Sequence, residues 1–184
     1  MGIRRFVKPV IAIASAAALT AAAYGLRKWV QRHLHGGSNP ESKVLIPHIL
    51  GLRYIENTGV SFGAFAGSRS AMVVITVLTA AAMLALLVWI LSGKMKGFLQ
   101  YTACTLILAG GLSNVLERLL AQWTVIDYFE FLFIRFAIFN FADCCITCGA
   151  VLLAIWVVRT DLQERRQKRW EAYEAKHGSD AEQS

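Results

Sequence analysis

Charge is what this chain has least of. Only 17% of its 184 residues are Asp, Glu, Lys or Arg, while 56% are hydrophobic, and the mean hydropathy is +0.48. That composition excludes an ordinary soluble domain. Acid is the scarcer sign, with 12 Asp and Glu against 19 Lys and Arg, for a net charge of +7. In so apolar a chain an excess of Lys and Arg reports on membrane topology and anionic headgroups. No nucleic-acid motif accompanies it, so no nucleic-acid partner is expected. Cysteine is sparse as well. Cys104, Cys144, Cys145 and Cys148 lie in or beside apolar runs. The Cys145-x-x-Cys148 spacing lacks the second Cys or His pair of a metal or redox motif, and all four read as small packing residues. His33, His35 and His48 are irregularly spaced in loop-like sequence and read as solvated, so no metal site is expected.

Long apolar runs are what the chain does have. A basic start (Arg4, Arg5, Lys8) leads into an Ala-rich run. The run has the basic start, short apolar core and small residues of a signal peptide. It also reads as a membrane helix over 9–29, reaching the roughly 20 residues needed to span only if Arg27 and Lys28 snorkel; this is the reading adopted. Further helices are expected over 70–91, 98–118 and 138–158. Residues 31–69 are polar and turn-rich, with a turn at His35-Gly36-Gly37-Ser38-Asn39-Pro40 and short strands within 43–55. Residues 121–138 form an aromatic-rich connection, and 159–184 a charged tail. The expected fold is an all-α integral membrane protein: four transmembrane helices with a small extracytoplasmic β-element between helices 1 and 2. Residues 1–158 make the membrane domain and 159–184 a cytoplasmic tail. The basic start, the Lys94/Lys96 turn and the tail place both termini in the cytoplasm, although 27–69 also carries Arg27, Lys28, Arg32, Lys43, Arg53 and Arg69.

Against this background two acids stand out. Asp143 opens the last apolar run, in Phe139-Asn140-Phe141-Ala142-Asp143, and Asp127 lies in Val125-Ile126-Asp127-Tyr128-Phe129. A carboxylate at the centre of a membrane helix costs about 2.5–3.5 kcal/mol, and less near an interface, so such residues mark functional sites. Asn140 and Asp143 have the N-cap and N3 spacing of a capping box, where the helix dipole favours negative charge; Asp143 is therefore the acid expected to ionise more readily. Asn114, Glu117 and Arg118 share one helical face. With four helices, these residues, Asn57-Thr58-Gly59 and both acids fall on the same outer side.

Four stretches in this order resemble the lipoprotein signal peptidases, the type II signal peptidases of bacteria. They are Asn57-x-Gly59-x-x-Phe62-Gly63, Gly110-Gly111-x-x-Asn114-x-x-x-Arg118, Val125-x-Asp127-Tyr128 and Phe139-Asn140-x-Ala142-Asp143-x-x-Ile146-x-x-Gly149. The family pattern reads N-x-G-x-x-F, G-G-x-x-N-x-x-D-R, V-x-D-F and F-N-x-A-D-x-x-I-x-x-G, and the match covers about 53–153. The resemblance implies a bacterial inner-membrane aspartyl endopeptidase that cleaves a prolipoprotein just before its diacylglyceryl-modified Cys. It implies Asp127 and Asp143 as the catalytic pair, with Asn57, Gly59, Asn114, Glu117, Arg118 and Asn140 in substrate-binding and support positions. No cofactor is implied, and the partners are the prolipoprotein and membrane lipid, with the protein a monomer. Three departures mark a divergent member. Glu117 replaces the Asp before Arg. Tyr24 stands where the first helix usually carries an Asp four residues before a Lys, here Lys28. Tyr128 replaces Phe.

Two other readings compete. A relative that binds lipoprotein precursors without efficient cleavage fits the departures at Tyr24 and Glu117. A proton- or ion-conducting protein fits the intramembrane acids, but no polar residues continue the path through the third or fourth helix.

Overall fold

The computed structural model describes residues 3–35, 43–59, 65 and 67–181. Seven elements follow in order: α1 (Ile3–Leu34), β1 (Lys43–Ile46), β2 (Leu50–Asn57), α2 (Arg69–Leu91), α3 (Gly97–Leu120), β3 (Val125–Phe131) and α4 (Phe141–Ala181). All four helices are long and apolar enough to cross a membrane. The turn expected from His35 to Pro40 lies outside the described residues beyond His35, as do Phe62 and Gly63 of the first motif.

The helices organise around α3, which packs against α1, α2 and α4. Most of its side chains are buried, including Tyr101, Cys104, Leu108, Ser113 and Asn114. The outer helices present Val74, Leu78, Val88, Val151 and Val157 outward. A helix apolar all round needs lipid or protein on every side, and here lipid meets the outer faces. Small residues set the closest approaches. A Cβ at Gly110 would collide with the Ala142 carbonyl and lie 2.7 Å from Ile146 Cγ1, and one at Gly149 would lie 2.8 Å from the Ala103 carbonyl. In α1, Pro9, Ala12, Ala16, Ala23, Arg27 and Val30 form one buried stripe at helical spacing, and Thr20 Oγ1 donates to the Ala109 carbonyl of α3 at 3.2 Å.

The expected β-element is present and larger than the segment between helices 1 and 2 alone. β1, β2 and β3 form an antiparallel sheet in that order, so the connection between α3 and α4 contributes its third strand. Val125 to Phe131 is rich in β-branched and aromatic residues, which favour a pleated, half-buried surface. Its partner β2 lies about 70 residues earlier, with Asn57 opposite Val125 and Ile55 opposite Asp127. Both long connections therefore meet at one end of the bundle. The last helix also differs from the expected 138–158: α4 runs without interruption into the charged tail. No Pro or Gly occurs from 150 to 177, and pairs such as Arg165 to Asp161 at 2.8 Å support its exposed turns.

Gly110→Ala should force α3 and α4 apart and destabilise the protein by about 1–3 kcal/mol, the usual range for overpacking. Gly25→Ala, where a Cβ would meet nothing within 4 Å, should leave stability unchanged or slightly raised. Thermal unfolding of both variants in detergent checks the contrast.

Candidate functional site

The polar residues singled out from the sequence meet at the end of the bundle beneath the sheet. Asp127 stands on β3 and Asp143 on the first turn of α4. They line one cavity of about 590 Å³ together with Asn57, Asn114, Arg118 and Asn140. Its apolar wall comes from Ile75 of α2, Phe131, Phe136, Ile138 and Phe139 of the β3–α4 segment, and Ile146 of α4.

Local structure explains how each side chain arrives there. After α3 the chain reverses within a few residues. Trp123 N donates to the Arg118 carbonyl at 2.7 Å, and Gln122 and Trp123 take φ of 51° and 73°, left-handed values uncommon for residues other than glycine. This tight turn brings β3 back over the end of α3 and lowers Asp127 towards the bundle. In the sheet, Asn57 is the diagonal neighbour of Asp127, within side-chain reach across an antiparallel pair. Its Nδ2 donates to Asp127 Oδ2 at 2.9 Å, while the Gly59 amide donates to Asn57 Oδ1 at 2.9 Å and so orients the Asn57 amide.

The start of α4 is a reciprocal cap. The Asn140 amide donates to Asp143 Oδ2 at 3.0 Å, and the Asp143 amide donates to Asn140 Oδ1 at 3.1 Å, the capping box expected from the spacing. Asn140 does more than cap. Fully buried, it also donates from Nδ2 to Asp127 Oδ1 at 2.6 Å, so one residue holds both acids. From α3, Asn114 Nδ2 donates to Asp143 Oδ1 at 2.9 Å. Tyr128, which stands where the family pattern has Phe, adds a further support at the helix start. Its buried hydroxyl accepts from the Phe141 amide at 3.1 Å.

Asp127 is 4% exposed. Burial, and secondarily the nearby Asp143, pushes its carboxyl up to about 6, against the opposing effect of the amides of Asn57 and Asn140. Asp127 thus holds a proton more readily than an ordinary carboxylate would.

The cations divide differently from the sequence expectation. Arg27 does not snorkel. It is 1% exposed and points into the bundle, donating from Nη1 to the Ser113 carbonyl at 3.0 Å and to Ser113 Oγ at 2.9 Å, and from Nη2 to Asn114 Oδ1. Glu117, 2% exposed, lies with Oε2 3.7 Å from Arg27 Nη1, so Arg27 is the cation that meets the family's acidic position. The physical reason is the α1 stripe: Arg27 falls on it, whereas Lys28 falls beside it, over the Tyr24 ring at 5.4 Å from the centroid. Helical spacing from Ala16 and Ala23 carried this signal, but a cation in an apolar run reads as a membrane-end residue by default. Arg118 lines the cavity, and its buried Nε has no partner among the described residues. Among the described residues, no group of three or more His, Cys, Asp or Glu is placed to hold a metal.

The family model for signal peptidase (SPase) II matches residues 15–159. A lipoprotein signal peptidase of Lactococcus lactis is 32% identical over 132 residues, covering 72% of this chain and 83% of that protein. One from Streptococcus pneumoniae is 33% identical over 123 residues, covering 66% and 77%. In fold, the chain resembles a bacterial membrane enzyme solved by the in meso method at 2.3 Å, with a TM-score of 0.68 at 23% identity over 81% of this chain and 88% of that one. It is also similar to a second such structure at 1.9 Å, with a TM-score of 0.66 at 24% identity over 80% and 92%. With the family model spanning most of its length and curated relatives above 30% identity, this chain belongs to the type II signal peptidase family, as a divergent member.

Proposed function

We propose that the protein is a membrane aspartyl endopeptidase that removes the signal peptide from diacylglyceryl-modified prolipoproteins, cutting before the lipidated Cys. The observation that carries this reading is Asn140, which bonds both Asp127 and Asp143 at the wall of one cavity. Like charges so placed ionise together only at a cost, so the pair shares a proton. Asp143, which accepts two donors at the positive end of α4, acts as the charged member, and Asp127 as the protonated one. Asp143 takes a proton from a water as the water's oxygen attacks the scissile carbonyl carbon. Asp127 donates its proton to the carbonyl oxygen. On collapse of the tetrahedral intermediate, the C–N bond breaks and a proton passes from the pair to the leaving nitrogen.

The rest of the site fits this substrate class. The apolar wall contributed by α2 and α4 suits acyl chains arriving laterally from lipid. The Arg118 guanidinium suits carbonyl or ester oxygens of the precursor. We place the site near the extracytoplasmic face, with both termini cytoplasmic, 1–158 as the peptidase and 159–184 as the tail, in a monomer embedded in the bacterial inner membrane. The burial of Arg27 removes one of the outer-side cations that weakened the charge argument for this orientation.

Purified protein in detergent should cleave a diacylglyceryl-modified prolipoprotein before the lipidated Cys, and Asp143→Asn and Asp127→Asn should each lose at least the ~10²–10⁴-fold that general acid–base help supplies. Bound but uncut substrate with the wild-type protein would favour the precursor-binding relative instead. Loss of the shared proton sets the alkaline limb of kcat/KM. Activity should therefore fall as pH rises above the Asp127 value near 6. In Asn57→Ala, which removes a donor that favours the ionised form of Asp127, that limb should move to higher pH. Arg118→Lys should raise KM or lower kcat measurably although the charge is retained, because the planar fork is lost; turnover equal to wild type would exclude a bidentate role.

A further inference from the structure

Arg27 is the most completely buried charged side chain among the described residues, and it does not line the cavity. Its contacts nonetheless end at the acids. An Asn side chain has two unlike ends, an accepting oxygen and a donating nitrogen, whereas a guanidinium only donates. Arg27 Nη2 faces Asn114 Oδ1, which leaves Asn114 Nδ2 to face Asp143 Oδ1 at 2.9 Å. Reversing the Asn114 amide would set its oxygen against the Asp143 carboxylate and its nitrogen against the guanidinium, two repulsive contacts at once.

We propose that Arg27 is a positioning residue for the acid pair: it holds the Asn114 amide so that the nitrogen points at Asp143. This rests on the reading of Asp127 and Asp143 as the catalytic pair. The fork of the guanidinium makes the role specific. Arg27 spans the Ser113 carbonyl, Ser113 Oγ and Asn114 Oδ1 while lying against Glu117, so the side chain is fixed from several directions and the amide it grips is fixed with it. Ser113 and Asn114 lie one turn beyond Gly110 in α3, where the absence of a Cβ lets α3 pack directly against Ala142 and Ile146 of α4. Glu117 balances the charge in this arrangement, at 3.7 Å from Nη1. A group that orients another group by about an ångström can control rates by up to about 10²-fold. Lys28, the cation at the family's first-helix position, is engaged elsewhere, with Tyr24 and with Gln31 Oε1 at 3.1 Å.

The titratable and charged groups that face the acid pair are Arg27 from α1, Arg118 from α3, Tyr128 from β3, and Cys144 and Cys148 from α4; α2 contributes Ile75 and Thr79, neither of which titrates. Among them Arg27 acts on Asp127 as a nearby positive charge that favours its ionised form. Losing Arg27 should thus move the titration of Asp127 upward.

The test uses Arg27→Met in a Glu117→Gln background, compared with Glu117→Gln alone, so that no uncompensated buried carboxylate confounds folding. Two readouts apply to the full-length protein in detergent: steady-state cleavage of a diacylglyceryl-modified prolipoprotein, and carbon-13 NMR titration of labelled aspartate carboxyls, with Asp127 assigned by its Asn variant. The double variant should lose about 10–100-fold in kcat with KM changed less than threefold, since Arg27 does not line the cavity, and Asp127 should titrate at higher pH. Equal kcat and an unmoved titration in the two proteins would overturn the proposal and leave Arg27 only the task of neutralising Glu117. If the wild-type protein cuts no prolipoprotein, the peptidase reading fails separately. The proton resonances of the Asn114 side-chain amide, compared between the double and the single variant, then decide the role of Arg27: loss of their hydrogen-bonded shift upholds it and unchanged resonances overturn it.

Discussion

Three asparagine amides hold two carboxylates, one buried and one half-buried, at the end of a membrane bundle, and the rest of the structure is arranged to bring them there. Asn57 arrives on a strand, Asn114 on a central helix and Asn140 at a helix start. Each donates to a carboxylate without adding a net charge. That choice matters energetically. A cation in direct contact would hold an acid ionised and salt-bridged, whereas amides satisfy the lone pairs without adding a charge that fixes the acid as ionised. The cations Arg27 and Arg118 stand one step away, close enough to act through the field and through Asn114.

The scaffold follows from the same need. A carboxylate facing the apolar interior of a bundle requires fully satisfied neighbours, and a bundle of apolar helices offers few polar groups. Gly110 and Gly149 let α3 and α4 approach closely enough for α3 to lend Asn114 to the first turn of α4. The three-stranded sheet closes the site from above and delivers both Asp127 and its partner Asn57. Neither the helices nor the sheet would supply the full set of donors, which explains why the chain places two structured connections on one side of the bundle and a short basic turn on the other.

Much of this was legible from the residues alone. Apolar runs of membrane-spanning length, the capping-box spacing of Asn140 and Asp143, and the shared helical face of Asn114, Glu117 and Arg118 are local patterns, and local patterns depend on backbone geometry that every helix shares. The α3–α4 connection was less legible. Its strand propensity was visible in Val125 to Phe131, but a strand declares its partner only through pairing across about 70 residues of chain. Tyr128 looked like a small change from Phe because its hydroxyl has no local partner; the Phe141 amide it serves is supplied by the next helix.

The sequence by itself determined the class of the molecule, the places where its helices lie and the identity of the two acids, because composition and helical period constrain each segment independently of the others. Only the tertiary structure decided which amide serves which carboxylate and which cation is inside. Arg27 and Lys28 are adjacent, equally charged and equally close to a membrane end, and the spacing of Ala16 and Ala23 that singles out Arg27 gains its meaning only from the helix they pack against. Helix rotation against α3 ranks them, turning Arg27 towards Ser113, Asn114 and Glu117 and leaving Lys28 beside Tyr24. That rotation is set by the packing of small residues between helices, a property of the pair of surfaces and of neither sequence segment alone.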